Sequence, residues 1–173
     1  STGGGFEYYW SPDGKWFTLT FTGNKHDPYY DIGIVSAQGG EITNLTNSGY
    51  ASGSPRWVMD GNAVLFTSER YGMRNHASWG SMEDVFLCFV NQDAYDKYRL
   101  SKEDYELLKE VEQEQEKLKK NADKKDAKKD DDKKDDKKDA VKDIVMELDG
   151  IQDRIVRLTP NSSSLGSAII DKK

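Results

Sequence analysis

Polar and apolar positions alternate one for one where the chain is most regular. Phe17, Leu19 and Phe21 alternate with Thr18 and Thr20, the period-two pattern of a strand with one buried face. Ahead of them, Trp10-Ser11-Pro12-Asp13-Gly14-Lys15 reads as a tight turn. Proline presets φ, aspartate bonds its own backbone, and glycine tolerates positive φ. The same unit returns as Trp57-Val58-Met59-Asp60-Gly61-Asn62, followed by Ala63-Val64-Leu65-Phe66-Thr67. Trp57 stands 47 residues (57 − 10) after Trp10. Val58-Met59 replaces Ser-Pro in the second turn, so a looser turn is expected there.

Four strands are predicted in the first copy. Phe6 to Trp10 leads to the turn, Lys15 to Thr22 follows, then Asp31 to Val35, and Glu41 to Thr46 after the turn Gln38-Gly39-Gly40. The second copy predicts strands at Ser54 to Val58, Asn62 to Thr67, Asp84 to Val90 and Asp153 to Thr159. Short strands joined in sequence and repeated every 40–50 residues or so are the pattern of β-propeller blades. The expected fold class is therefore all-β: two four-stranded antiparallel blades of a partial propeller. The blades span 1–46 and 47–159, and 160–173 opens a third. Trp10 and Trp57 are expected as core residues wedged between blades, and Asp13 and Asp60 as turn formers.

The second copy is interrupted by an insertion, 91–145, between its third and fourth strands. Ser101 is a helix N-cap, with Glu103 and Asp104 in the first turn, where the helix dipole favours acids. Leu107, Val111 and Leu118 recur on one face, predicting a thinly amphipathic helix over about 101–119. It is read first as solvated, with docking or helix pairing as the alternative. The following tract, about 120–140, is almost wholly Lys, Asp and Ala. It lacks the apolar surface to offset ordering entropy, so disorder is expected. Asp130-Asp131-Asp132 has no cation-loop spacing and reads as part of a solvated linker.

This tract inflates the charge statistics. Of 173 residues 32% are charged, the net charge is −6, and the mean hydropathy is −0.85. A net negative chain without a basic stripe is not a general nucleic-acid binder. No apolar run reaches the ~18 residues of a membrane span. The single cysteine, Cys88, lies in an apolar strand and is expected to be buried. The chain begins at Ser1 and stops mid-pattern at Lys173, so an excised piece of a longer protein is expected.

No catalytic constellation is present. Gly49-Tyr50-Ala51-Ser52-Gly53 lacks the spacing of a nucleophile elbow, and no phosphate-binding loop occurs. Two histidines and one cysteine do not make a zinc site of usual spacing. No metal or cofactor is expected. In a blade, the loop between second and third strands shares a face with the connection between blades. That face would gather His26, Tyr29 and Tyr30 from the first copy, and Arg70, Tyr71, Arg74, His76 and Trp79 from the second. Aromatic and arginine side chains on loops of a rigid scaffold suit peptide or partner recognition. The competing account has Trp79 and Met73 packing the loop down and the rest solvated.

The first copy, W-S-P-D-G-K, then D-I-G-I-V, a glycine turn and N-L-T, resembles the repeat of TolB and tricorn-type propellers. The second copy narrows this. R-W-V-M-D-G-N-A-V-L-F-T-S-E-R-Y-G-M-R-N-H-A-S-W-G-S, D-V-F-L-C-F, the R-L-S-K-E-D helix start and L-D-G-I-Q-D-R-I-V-R-L-T-P-N-S-S resemble bacterial tricorn-like serine proteases of the tail-specific class. That resemblance implies a non-catalytic propeller segment that scaffolds and guides peptide substrates to a catalytic core elsewhere in the polypeptide. Its partners would be peptide or protein substrates, the remaining blades and the catalytic domain. It implies a periplasmic or envelope location, with the cytoplasm as the alternative. The rival readings are a TolB-like interaction module and the propeller of a prolyl-oligopeptidase-type peptidase. Two blades alone leave open sides, so self-association, repacking or marginal stability is expected.

Overall fold

Eight strands form two four-stranded antiparallel sheets, each ordered as the chain runs. The first sheet holds β1 (Tyr8–Trp10), β2 (Trp16–Phe21), β3 (Asp31–Ser36) and β4 (Thr43–Asn44). The second holds β5 (Ser52–Val58), β6 (Ala63–Ser68), β7 (Asp84–Phe89) and β8 (Ile155–Arg157). The computed structural model describes residues 7–23, 29–75, 79–126, 142–165 and 168–170. Two compact units result: Ser1–Tyr95 with Val141–Lys173, which carries both sheets, and Asp96–Ala140.

The two sheets repeat the same connecting hydrogen bonds at matched positions. Ala37 N–H donates to Lys15 O at 2.8 Å, and its counterpart Val90 N–H donates to Asn62 O at 3.0 Å. Leu45 N–H to Ile32 O and Leu158 N–H to Val85 O are both 2.8 Å. The second turn, expected to be looser than the first, is instead strained: Met59, Asp60 and Gly61 have φ of 53°, 54° and 92°. β5 also carries a register shift between Gly53 and Arg56, with Ser54 at φ 52°. The last strand of each sheet is shorter than its sequence pattern predicts, β4 being two residues long and β8 three.

Ladder register sorts each sheet into a front and a back. In the first sheet Tyr8, Trp10, Phe17, Leu19 and Val35 share the front, and Tyr9, Thr18, Ile32 and Ile34 share the back. In the second, Trp57, Val64, Phe66, Phe86 and Cys88 are front, and Leu65, Val85, Leu87 and Phe89 are back. The back of the first sheet packs on the front of the second. Ile32, Ile34 and Leu45 meet Val64, Phe66, Phe86 and Cys88 in one core, flanked by Trp16 and Trp57. Complete burial of Ile32, Ile34 and Leu45 contributes roughly 1.5–3 kcal/mol each. Trp57 Nε1–H donates to Tyr9 O at 3.0 Å across this seam. The back of the second sheet is covered in turn by Leu165, Ala168 and Ile170, beside Tyr95.

This packing corrects two expectations. The alternating face of Phe17, Leu19 and Phe21 is the front of the first sheet, and it is only half-buried. Thr18, with its hydroxyl donated to Gly33 O at 3.2 Å, is the buried residue of β2. Trp10, expected in a core, is 54% exposed and lies against Phe17 with ring centroids 3.9 Å apart. It is the counterpart of Trp57, and no sheet among the described residues lies in front of it. Cys88 is buried as expected, and burial pushes its thiol up to about 12 despite the nearby Arg154 charge.

After the insertion the chain returns as a strap, Ile144 to Leu148, whose apolar side chains close one end of the core. Asp13 does more than form its turn: its carboxylate accepts from Ile144 N–H at 2.9 Å as well as from Ser11 and Lys15. Burial pushes the Asp13 carboxyl up, but these hydrogen bonds and the Lys15 charge outweigh it and hold the group below its ordinary value. The buried Arg154 guanidinium donates to the carbonyls of Phe89, Asp149 and Glu147.

The second unit is helical. It begins at Asp96, within a helix α1 (Gln92–Arg99) absent from the sequence reading, and holds α2 (Lys102–Asp126). Ser101 caps α2 as expected, accepting from Asp104 N–H at 3.1 Å. α2 runs beyond the expected stop near 119, because Lys, Asn, Ala and Asp continue without a Gly or Pro to end it. Disorder was expected from about 120, so residues up to Asp126 correct that boundary; the rest of the Lys/Asp tract, 127–141, lies outside the described residues. Leu107, Val111 and Leu118 are exposed.

Gly61 sits where the strap, the first turn and its own positive φ converge. A Cβ there would lie 2.3 Å from Ile144 Cδ1 and 3.3 Å from Pro12 Cδ. Gly61→Ala should therefore cost about 2 kcal/mol, read as a lowered urea midpoint at unchanged slope; an unchanged midpoint would refute the placement of the strap.

Candidate functional site

The loop-bearing edge of the sheets is built on two buried aspartates. Asp31 and Asp84 open β3 and β7 and are 1% and 0% exposed. Asp31 accepts from Thr46 Oγ1 at 2.6 Å, Asn44 Nδ2 at 2.9 Å and Ser48 N–H at 3.1 Å. Asp84 accepts from Thr159 Oγ1 and Ser162 Oγ, both at 2.7 Å, and from Arg157 Nη2 and Nε at 2.8 and 3.1 Å. Thr46 and Thr159 each accept a hydrogen bond from the residue after the aspartate, Ile32 and Val85. Burial alone would push the Asp84 carboxyl up; Thr159, Ser162 and Arg157 outweigh it and hold the group below the ordinary carboxylate value.

The copies differ where Asn44 is replaced by Arg157. This guanidinium reaches past Asp84 and lies over the Tyr71 ring, 4.5 Å from its centroid. Arg70 approaches the same ring at 5.8 Å. Tyr71 stacks on Phe86 at 6.1 Å, and Phe86 on Phe66 at 5.4 Å. A column of rings thus rises from the core to the surface and ends in two cations. Beside it lies a shallow cleft lined by Thr46, Ser48, Ser52, Ser68 and Arg70, with Phe66, Phe86 and Ile155.

The loop from Glu69 to Glu83 is a braced arm. Glu69 O accepts from Gly72 and Met73 N–H, and Met82 N–H donates to Gly72 O at 2.9 Å. Only glycine fits at 72, since a Cβ would come 2.1 Å from Met82 O. Further out, Arg74 N–H donates to Ser81 Oγ and its guanidinium reaches Met82 Sδ at 3.6 Å. Asn75 clasps the Trp79 backbone through both its amide atoms. Trp79 is left 81% exposed, so it does not pack the loop down.

Of the residues singled out in the sequence, Arg70 and Tyr71 come together at the base of the arm, and Arg74 and Trp79 lie along it. Tyr30 is at the connection between the copies, where its carbonyl accepts from Ser52 N–H at 2.8 Å. Tyr29, beside it, is partly buried. His26 and His76 lie outside the described residues. Arg157 and Phe86 belong to the site and were not singled out. Aligning Leu45-Thr46 with Leu158-Thr159 shows the signal for Arg157, a cation where the first copy has an amide. Among the described residues, no group of three His, Cys, Asp or Glu could hold a metal ion, and no helix is long and apolar enough to cross a membrane. An arrangement of exposed rings and guanidinium groups can bind planar and anionic groups by stacking and charge.

Removing Asp84's charge tests the lock. Asp84→Asn should cost about 3 kcal/mol by taking the counter-charge from Arg157 and replacing one of the two acceptor oxygens, which serve Arg157, Thr159 and Ser162, with an amide donor. Because the folded carboxyl is held low, its contribution is complete above the unfolded value of ~3.9 and disappears as pH falls through the folded value. The variant should lose the part of the acid-induced destabilisation below about pH 4 that this group causes, seen as a flatter stability profile; an identical profile would contradict the assignment.

No family model matches the chain. A stretch of 58 residues is 38% identical to an uncharacterised peptidase, YuxL, of Bacillus subtilis (strain 168). The match covers 34% of this chain and only 8% of that peptidase. Among solved structures, the crystal structure of the tricorn protease aligns with 91% of this chain and 13% of its own, at a TM-score of 0.48 and 10% identity.

Proposed function

We propose that the chain is a non-catalytic β-propeller segment of a peptidase, presenting peptides to a catalytic part of the same polypeptide. In this reading each sheet is one blade, 1–46 and 47–159, and 160–173 opens a third. Front-to-back stacking of two sheets with matched aspartate locks is the observation that carries it. The 58-residue likeness to a peptidase supports the peptidase context. The finer assignment, a tricorn-like serine protease of the tail-specific class with an envelope location, rests on the motif resemblance of the second copy.

The peptide-facing surface is the arm and its base: Arg70, Tyr71, Arg74 and Trp79, with Tyr29 and Tyr30 beside the connection between the copies; His26 and His76, assigned to this surface from the sequence, lie outside the described residues. Tyr71 and Trp79, exposed yet braced, lose little freedom when a peptide stacks on them. The bound partner is a peptide or protein substrate, and the remaining blades and catalytic domain complete the parent.

Purified chain should bind a labelled mixture of unstructured peptides without cleaving it. The double variant Tyr71→Ala, Trp79→Ala should weaken binding about tenfold in fluorescence anisotropy. Turnover by the chain itself, or binding indifferent to both substitutions, would overturn the proposal.

A further inference from the structure

The open front of the first sheet has a covered twin in the same molecule. Trp10, Phe17 and Val35 correspond in register to Trp57, Val64 and Cys88 of the second sheet. In the second sheet this front is covered by the back of the first, where Thr18, Ile32 and Ile34 lie. In the first sheet nothing among the described residues covers it, and Tyr8 and Trp10 stay 59% and 54% exposed. The only other back face described, Leu65, Val85 and Leu87, lies under the tail residues Leu165, Ala168 and Ile170. That tail is lightly held. The described backbone bonds fastening it are the mutual pair between Glu83 and Ser163, and Ile169 is 89% exposed.

We infer that the open front is a docking surface for a second copy of this chain, which offers the back of its second sheet as its own tail swings aside. The contact continues the seam between the two sheets. Bulky front residues meet β-branched and smaller back residues, as layers that interdigitate do, whereas two aromatic fronts would have no such complement. Tyr9 corresponds to Arg56, so Trp10 Nε1–H donates to the Arg56 carbonyl of the neighbouring copy, as Trp57 does to Tyr9 O. The contact is head-to-tail. Such contacts either close into rings or extend as filaments. With roughly four to eight sheets per closed ring, two to four copies complete one. The inference rests on the reading of each sheet as one blade and does not depend on peptide binding.

Sedimentation over about 1–200 μM tests it, a span set by typical weak to moderate association. The chain should pass from its monomer mass of 19.6 kDa to a closed oligomer as concentration rises. A chain ending at Ser164 should assemble at about tenfold lower concentration, because its back face is uncovered. Trp10→Asp, at an exposed position, should be monomeric with an unchanged circular dichroism spectrum. Trp10→Asp in the shortened chain should also be monomeric, which separates docking from unspecific aggregation. Monomers throughout would overturn the inference. So would assembly that survives Trp10→Asp, or assembly that is lost in Trp10→Asp yet unaffected by shortening, since the last describes two fronts face to face.

Discussion

A buried carboxylate at the start of each third strand holds the rest in place. β4 and β8 are two and three residues long, too short to be secured by ladder hydrogen bonds alone. Asp31 and Asp84 fasten them by gripping the threonine just beyond each strand. That grip positions Leu45, which is fully buried in the core shared by the sheets. An unpaired carboxylate at this depth would cost several kcal/mol; with its acceptor sites filled it becomes the point at which strand, turn and core are joined.

The same device also shapes the surface. Where the first copy satisfies its aspartate with an asparagine, the second uses Arg157, whose guanidinium extends to Tyr71. One amide-to-cation change thus converts a structural lock into the foundation of an exposed aromatic column. The arm that bears Trp79 is braced by its own backbone and by Asn75. Scaffold and candidate recognition surface are therefore one continuous network, so loosening the lock would be felt at the loop.

Much of this was legible in the sequence, for physical reasons that differ by element. The strands of the first copy follow from turn residues and period-two alternation, which are local signals; the last strand and the insertion before it follow from matching Leu158-Thr159 to Leu45-Thr46. The N-cap of α2 is equally local. What escaped was which side of β2 faces a partner. Phe17, Leu19 and Phe21 look like the core face, but a sheet meant to pack on both sides is apolar on both, and Thr18 is small enough to sit in the seam. Trp10 was misplaced for the same reason: its register position is that of a wedge, and the neighbour that would bury it is not among the described residues. The Arg157–Tyr71 stack joins positions far apart in sequence, and only the alignment of the two copies hints at it.

The central claim is that the two sheets pack front to back as structural repeats. Nuclear Overhauser contacts between the Ile32 and Ile34 methyls and the Phe66 and Phe86 rings, with the Trp57 indole N–H close to Tyr9, test it most directly. The account predicts these contacts in the dilute monomer, and none from Ile32 or Ile34 to the Phe17 ring on the opposite face. Contacts from Phe17 to the Phe66 and Phe86 rings, with none from Ile32 or Ile34, would mean that the first sheet is turned over, and would contradict it.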